Sequence, residues 1–164
     1  MIFRPTYVFK SVTDISFEFL KKNSIRGLML DLDNTLTTHN NPQPADKVTD
    51  WIESMKSNGI KLMIVSNNNA QRVSPFSESL KLPFVASGRK PLSSGFNRAQ
   101  MIMKIPFAEI AIVGDQIFTD ILGANLRRVR TIYVHPIELE KSFLFKLKRM
   151  LERPFLRKIK ITKE

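Results

Sequence analysis

Two carboxylates stand two residues apart in the segment 31–36, which reads DLDNTL. A carboxylate can attack phosphorus to form an aspartyl phosphate, which divides one difficult hydrolysis into two easier steps. A second carboxylate nearby can protonate the leaving oxygen and then take a proton from the attacking water. Asp31 and Asp33 are therefore candidates for the nucleophile and the general acid/base. On its own, so short a pattern more often marks a solvated loop or a helix cap.

Further groups that phosphoryl transfer requires follow downstream. Asp115 and Asp120, in the segment 114–120 (GDQIFTD), supply the hard oxygen ligands that Mg²⁺ prefers. Ser66 can donate its hydroxyl to a phosphate oxygen, and Lys90 can offset the charge of the transferring group. Taken singly, Ser66 is more typical of a strand end and Lys90 of a protein surface. The complete set favours phosphoryl transfer.

Alternating strands and helices must position these groups. The apolar run 25–32 predicts a buried parallel strand that ends in acids. Similar patterns predict strands at 61–65, 84–85, 110–113 and 131–134, and helices at 48–58, 69–80, 92–103 and 117–126. This order predicts an α/β domain with a mainly parallel sheet flanked on both faces. Asp31, Asp33, Ser66 and Asp115 each follow a predicted strand, so all four belong to the rim where such sheets bind ligands.

These motifs resemble motifs one to four of the haloacid dehalogenase (HAD) superfamily, over roughly residues 25 to 135. Four segments are similar to the YqeG branch of this superfamily, which is related to mitochondrial phosphatidylglycerophosphate phosphatases. They are LDLDNTL at 30–36, SNN at 66–68, KP at 90–91 and VGDQIFTDILG at 113–123. The resemblance implies a HAD-like Rossmannoid three-layer sandwich. We expect the chain to divide into a hydrolase domain with an N-terminal extension (1–138) and a basic amphipathic tail (139–164).

The resemblance also implies a role for each motif residue. Asp31 would be the nucleophile and a Mg²⁺ ligand, and Asp33 the general acid/base that also binds Mg²⁺ through its backbone carbonyl. Asp115 would bind Mg²⁺, and Asp120 would order the water shell of the metal or Lys90. The expected phosphate-binding residues are Thr35, which also supports its loop, Ser66, Asn67 and Lys90.

The spacing of the motifs leaves no room for a cap domain. Between Asp33 and Ser66 there is space for a loop, one helix and one strand, and between Ser66 and Lys90 for barely one more such unit. We therefore expect an open site that encloses little of a small ligand, with specificity supplied from elsewhere.

The basic charge is concentrated in the tail. The chain carries a net charge of +11, of which residues 141–164 contribute +7, from nine Lys or Arg and two Glu. Apolar residues recur there at helical spacing: Leu139, Phe143, Leu144, Leu147, Met150 and Leu151. Such a helix can lie on an anionic membrane or pack its apolar stripe on its own domain, and both alternatives stay open.

We therefore expect a magnesium-dependent phosphatase acting on phosphatidylglycerophosphate or a similar anionic headgroup at the cytoplasmic membrane face. One alternative is a phosphatase of a soluble phosphomonoester or phosphoprotein. The other, ranked lower, is a nucleic-acid-binding module on a HAD fold. No apolar run is long enough to span a bilayer and no secretory signal is present, so we expect a cytoplasmic protein with peripheral contact at the inner membrane face.

Overall fold

Six parallel strands form one sheet at the centre of the protein. The computed structural model describes residues 2–39, 41–138, 142–156 and 161–162. The strands are β1 (Tyr7–Phe9), β2 (Gly27–Leu30), β3 (Lys61–Val65), β4 (Phe84–Val85), β5 (Ile110–Gly114) and β6 (Arg130–Val134). Their order across the sheet is β1-β6-β5-β2-β3-β4, and all five pairings are parallel. The predicted parallel α/β sheet is thus confirmed.

Helices cover both faces of this sheet. They are α1 (Phe17–Lys22), α2 (Asp46–Ser57), α3 (Ala70–Ser79), α4 (Ser93–Met103), α5 (Leu122–Asn125) and α6 (Phe143–Leu156). Successive strand side chains alternate between the faces, so Leu28 and Leu30 join the core that contains α1, α2 and α3. Met29 joins the core that contains α4 and α5. The three-layer sandwich is confirmed, and within the described ranges no cap unit is inserted between β2 and Lys90.

The strand order creates a crevice beside β2. From β2 the chain runs outward through β3 to β4, then crosses back so that β5 and β6 lie on the other side. In open parallel sheets, ligands bind where the order reverses in this way, at the carboxyl ends of the strands. The segments that follow β2 and β5 carry Asp31 and Asp115.

The segment after β5 differs from the predicted continuous helix at 117–126. Residues Ile117–Ile121 form a π-helical turn, in which the N–H of Ile121 donates to the carbonyl of Gln116 at 3.2 Å, and α5 begins at Leu122. The wider turn lets the carboxylate of Asp120 lie against Gly114, where a Cβ would stand 2.3 Å from it. Glycine at 114 therefore makes room for Asp120.

The tail folds back onto the domain through α6. Phe155 and Leu156 pack beside Phe3 and Phe118, and the N–H of Thr162 donates to the carbonyl of Val8 in β1 at 2.7 Å. Leu139 and residues 157–160, which belong to the predicted tail, lie outside the described residues. Along the part of the chain that the structure describes, no helix has the length and apolar character needed to cross a membrane.

Candidate active site

A buried lysine joins two acids at the crevice. Asp31 follows β2 directly, and its backbone N–H donates to Val113 of β5 at 2.9 Å. The Lys90 Nζ donates to Asp31 Oδ1 and to Asp120 Oδ1, each at 2.6 Å. Burial lowers the pKa of Lys90, but the attraction of Asp120 and Asp31 outweighs this effect and the net pKa is raised. Lys90 is therefore a fixed cation beside the proposed nucleophile.

The backbone around Lys90 is held by Asn67. The Asn67 Oδ1 accepts from the Lys90 N–H at 2.6 Å, and its Nδ2 donates to the Lys90 carbonyl at 3.0 Å. The backbone at Gly88, in the same loop, packs directly against Gly95, where a Cβ would lie 2.4 Å from the Gly88 carbonyl oxygen. Asn67 also lines the cavity, so its amide fixes the Lys90 loop at the site, and its predicted contact with phosphate stays a prediction.

Three carboxylates converge where a metal ion would fit. One oxygen each of Asp31, Asp115 and Asp120 lie within 4.8 Å of one another. Asp115 Oδ1 is buried and has no hydrogen-bond partner among the described residues. Burial raises the pKa of Asp115, which Arg149 opposes, and burial also raises the pKa of Asp120 to about 6 against the opposing effect of Lys90. Such buried, partly unpaired carboxylates suit a hard divalent cation.

Asp33 faces a different set of partners. Its Oδ1 accepts from the Arg72 guanidinium at 2.8 Å, its Oδ2 accepts from the Asn68 amide, and the His39 Nδ1 lies 3.8 Å from Oδ2. The Asp33 carboxylate therefore lies outside the three-acid cluster. Neither Arg72 nor Asn68 was predicted as a site residue, because an arginine in the first turn of a helix carries no sequence signal of its own.

Two predicted phosphate-binding hydroxyls have different surroundings. Ser66 follows β3, lines the cavity and accepts from the N–H of Asn68 at 3.1 Å. Thr35 is buried, does not line the cavity, and its Oγ1 has no hydrogen-bond partner among the described residues. The Thr35 hydroxyl is thus separate from the cavity lining, and its predicted phosphate contact stays a prediction.

The helix α6 is tied to the same acids. Arg149 donates to Asp115 Oδ2 and to the Asp115 carbonyl, and also pairs with Glu152 at 3.0 Å. Glu152 is buried, and its Oε1 accepts from the N–H of Ile117 at 2.9 Å. Burial lowers the pKa of Arg149, but the attraction of Asp115 and Glu152 raises it above its usual value. These contacts could not be predicted from the sequence, because Arg149 is one of nine basic residues in the tail.

A cavity of about 670 Å³ lies above the acids. Asp31, Lys90 and Ser66 line its floor, and Ser142, Phe145 and Lys148 contribute from α6 and the residue before it. As predicted, the described ranges contain no cap between β2 and Lys90, and α6 contributes part of the lining of this cavity.

Solved structures with a similar fold are known. A hydrolase of the haloacid dehalogenase-like family from Brucella suis 1330 has a TM-score of 0.50 at 10% identity, covering 70% of this chain and 90% of its own. The 3-deoxy-D-manno-octulosonate 8-phosphate phosphatase of Moraxella catarrhalis has a TM-score of 0.52 at 13% identity, covering 87% and 92%. At such identities the likeness concerns the fold, which is that of the HAD superfamily.

The sequence relatives are more specific. The chain belongs to the mitochondrial PGP phosphatase family, whose model matches residues 1–138. The "Probable phosphatase YqeG" of Bacillus subtilis (strain 168) is 39% identical over 158 residues, which cover 96% of this chain and 92% of that protein. The protein is therefore a phosphatase of the HAD type, as the motifs predicted.

Proposed function

We propose that the protein hydrolyses a phosphomonoester with Mg²⁺ through an aspartyl phosphate on Asp31, and that its substrate is phosphatidylglycerophosphate or a similar anionic headgroup. The observation that carries the proposal is the Asp31 carboxylate at the tip of β2. One of its oxygens is held by Lys90 at 2.6 Å, and Asp31 lines the cavity. Among the described residues its Oδ2 has no hydrogen bond, which leaves that oxygen available for attack.

The protein groups support a two-step hydrolysis. Asp31 Oδ2 attacks phosphorus, and the bond from phosphorus to the leaving oxygen breaks as that oxygen takes a proton from Asp33. Water then attacks the phosphorus of the aspartyl phosphate and gives one proton to Asp33. The bond between phosphorus and Asp31 Oδ2 breaks, which releases phosphate and restores the Asp31 carboxylate. Lys90 and the Ser66 hydroxyl stabilise the charge of the transferring group. For its first proton transfer Asp33 must leave Arg72, to which it is bound here.

The acid cluster supports a divalent cation in this reaction. Asp31 and Asp115 would hold it with the Asp33 backbone carbonyl, and the unpaired Oδ1 of Asp115 is the oxygen that the cluster leaves free. When bound, Mg²⁺ offsets the negative charge of the phosphate and of the surrounding acids. The choice of Mg²⁺ draws support from the Moraxella catarrhalis phosphatase, whose structure contains a magnesium ion and a phosphate ion.

The lipid substrate is supported by membership of the mitochondrial PGP phosphatase family. A specific observation also favours a second candidate, a soluble phosphomonoester. The cavity of about 670 Å³ beneath α6 lies within the ~300–1,000 Å³ typical of small-molecule sites.

The test is phosphate release from phosphatidylglycerophosphate in mixed micelles and from a panel of soluble phosphomonoesters, each with Mg²⁺ or with EDTA. Wild type is compared with Asp31→Asn, which keeps the side-chain shape and removes the nucleophilic charge. Asp50→Asn is the matched control, because Asp50 is exposed on α2.

The proposal is supported in full if wild type and Asp50→Asn hydrolyse the lipid in a magnesium-dependent reaction and Asp31→Asn does not. Turnover of soluble esters alone would retain the mechanism and replace the lipid by the second candidate. Full activity of Asp31→Asn would refute the aspartyl-phosphate mechanism.

A further inference from the structure

Five apolar residues of α6 point away from the domain, while Phe155 and Leu156 at its end pack against it. Five side chains that recur on one side of the helix are exposed: Phe143 (77%), Leu144 (74%), Leu147 (39%), Met150 (55%) and Leu151 (53%). The opposite side carries Arg149 and Glu152, which bind Asp115 and Ile117. A terminal helix usually packs its apolar side inward, and for these five residues that alternative is wrong.

The exposed side of α6 carries positive charge and no negative charge. Glu152 is the one acid in this helix, and it is buried against the domain. Lys146 and Arg153 are exposed at the border of the apolar side. We name the surface formed by the five apolar residues with Lys146 and Arg153 the outer face of α6.

We propose that the outer face of α6 docks onto an anionic lipid bilayer and thereby places the cavity beneath this helix at the headgroup layer. An interfacial helix buries its apolar side at the boundary between headgroups and acyl chains, while flanking Lys and Arg side chains pair with anionic lipids. The outer face offers both features on one convex surface. The phosphate groups of a nucleic acid could pair with Lys146 and Arg153, but the five apolar side chains would then lie against a charged backbone.

This orientation follows from how α6 is attached. Phe145 and Lys148 of the same helix line the cavity, and Arg149 fixes the helix to Asp115. A bilayer on the outer face would therefore contact the same helix that lines the cavity. That the docked site acts on a lipid phosphate rests on the proposed function, whereas docking itself does not.

The experiment measures sedimentation of the full chain with vesicles, either of phosphatidylcholine alone or of phosphatidylcholine and phosphatidylglycerol in equal parts. The test variant is L144E/L151E, which places two negative charges on the outer face. The matched control is M101E/I102E, which makes the same change at two exposed apolar residues of α4. Circular dichroism melting and turnover of a soluble phosphomonoester check that each variant is folded.

We expect wild type and M101E/I102E to bind the anionic vesicles, more weakly as salt increases, and to leave the neutral ones unbound. L144E/L151E should bind the anionic vesicles at least ~10-fold more weakly with unchanged melting and unchanged soluble turnover. Equal vesicle binding by L144E/L151E and wild type overturns the proposal, as does the absence of binding by wild type at low ionic strength.

Two other outcomes would assign the face to a different occupant and overturn the proposal. One is a dimer, seen by light scattering, that L144E/L151E dissociates. The other is binding of double-stranded DNA, in the absence of vesicle binding, that the same variant loses. Because the vesicles contain no phosphorylated substrate, failure of docking is distinguishable from failure of the proposed function, which phosphate release measures separately.

Discussion

Replacing Lys90 by Met tests whether this lysine holds the buried acids together. Lys90 is 6% exposed and donates to both Asp31 and Asp120 at 2.6 Å. Met keeps much of the apolar stem but removes the charge. Two buried carboxylates then lose their shared cation. Removing one partner of a buried ion pair destabilises a protein by about 3–5 kcal/mol. For a chain of this size that loss corresponds to a decrease in Tm of roughly 6–20 °C.

The assay is urea denaturation of wild type and Lys90→Met in EDTA at pH 7.5. The loss should be smaller at pH 5, because burial raises the pKa of Asp120 to about 6 even with Lys90 present, and a proton can then replace the missing cation. Lys56→Met is the matched control. It removes a lysine that pairs with Glu53 at 2.9 Å on the partly exposed surface of α2, and should cost about 1 kcal/mol at most. Equal stability of Lys90→Met and wild type at pH 7.5 would refute this reasoning.

Three further predictions concern the acid cluster. Arg149→Met should lower the Kd for Mn²⁺ or Mg²⁺ by roughly 10-fold, because a cation beside Asp115 is removed. Calorimetric titration measures this Kd, and weaker binding by the variant would contradict the electrostatic argument. The metal affinity of wild type should increase from pH 5 to pH 7, because burial raises the pKa of Asp115 and of Asp120 and both acids must lose their protons before the metal binds. A Kd that does not change with pH would show that these acids are ionised throughout this range. Gly114→Ala should lower the free energy of unfolding by ~1–3 kcal/mol, because the new Cβ would stand 2.3 Å from the Asp120 carboxylate. An unchanged melting curve would show that Asp120 can move aside without loss of stability.

The strand tips could be predicted from sequence because each carries a local signal. An apolar run that ends in a polar residue indicates both a buried strand and its carboxyl end, so Asp31, Ser66 and Asp115 could be assigned to one rim from the sequence alone. The first 25 residues gave no comparable signal. Their strand β1 has three residues and lies at the sheet edge, where pairing with β6 supplies the order that the local sequence lacks.

The partners of the acids could not be predicted in the same way. Arg72 reaches Asp33 from α3, and Arg149 reaches Asp115 from α6 at a sequence separation of 34 residues. Nothing distinguishes these arginines from the other basic residues in the sequence. They pair with the acids only because the fold excludes water there, and a buried carboxylate needs a nearby cation.

The sequence by itself determined the parallel α/β sheet, its phosphatase motifs and the amphipathic character of the tail, because each depends on residue type and on spacing along the chain. Only the tertiary structure decided which side of the tail faces the domain. Hydrophobic periodicity shows that a helix has an apolar side, but not what that side contacts. Here the ion pairs of Arg149 with Asp115 and Glu152 turn that side of α6 inward, so the five apolar residues of the outer face lie exposed.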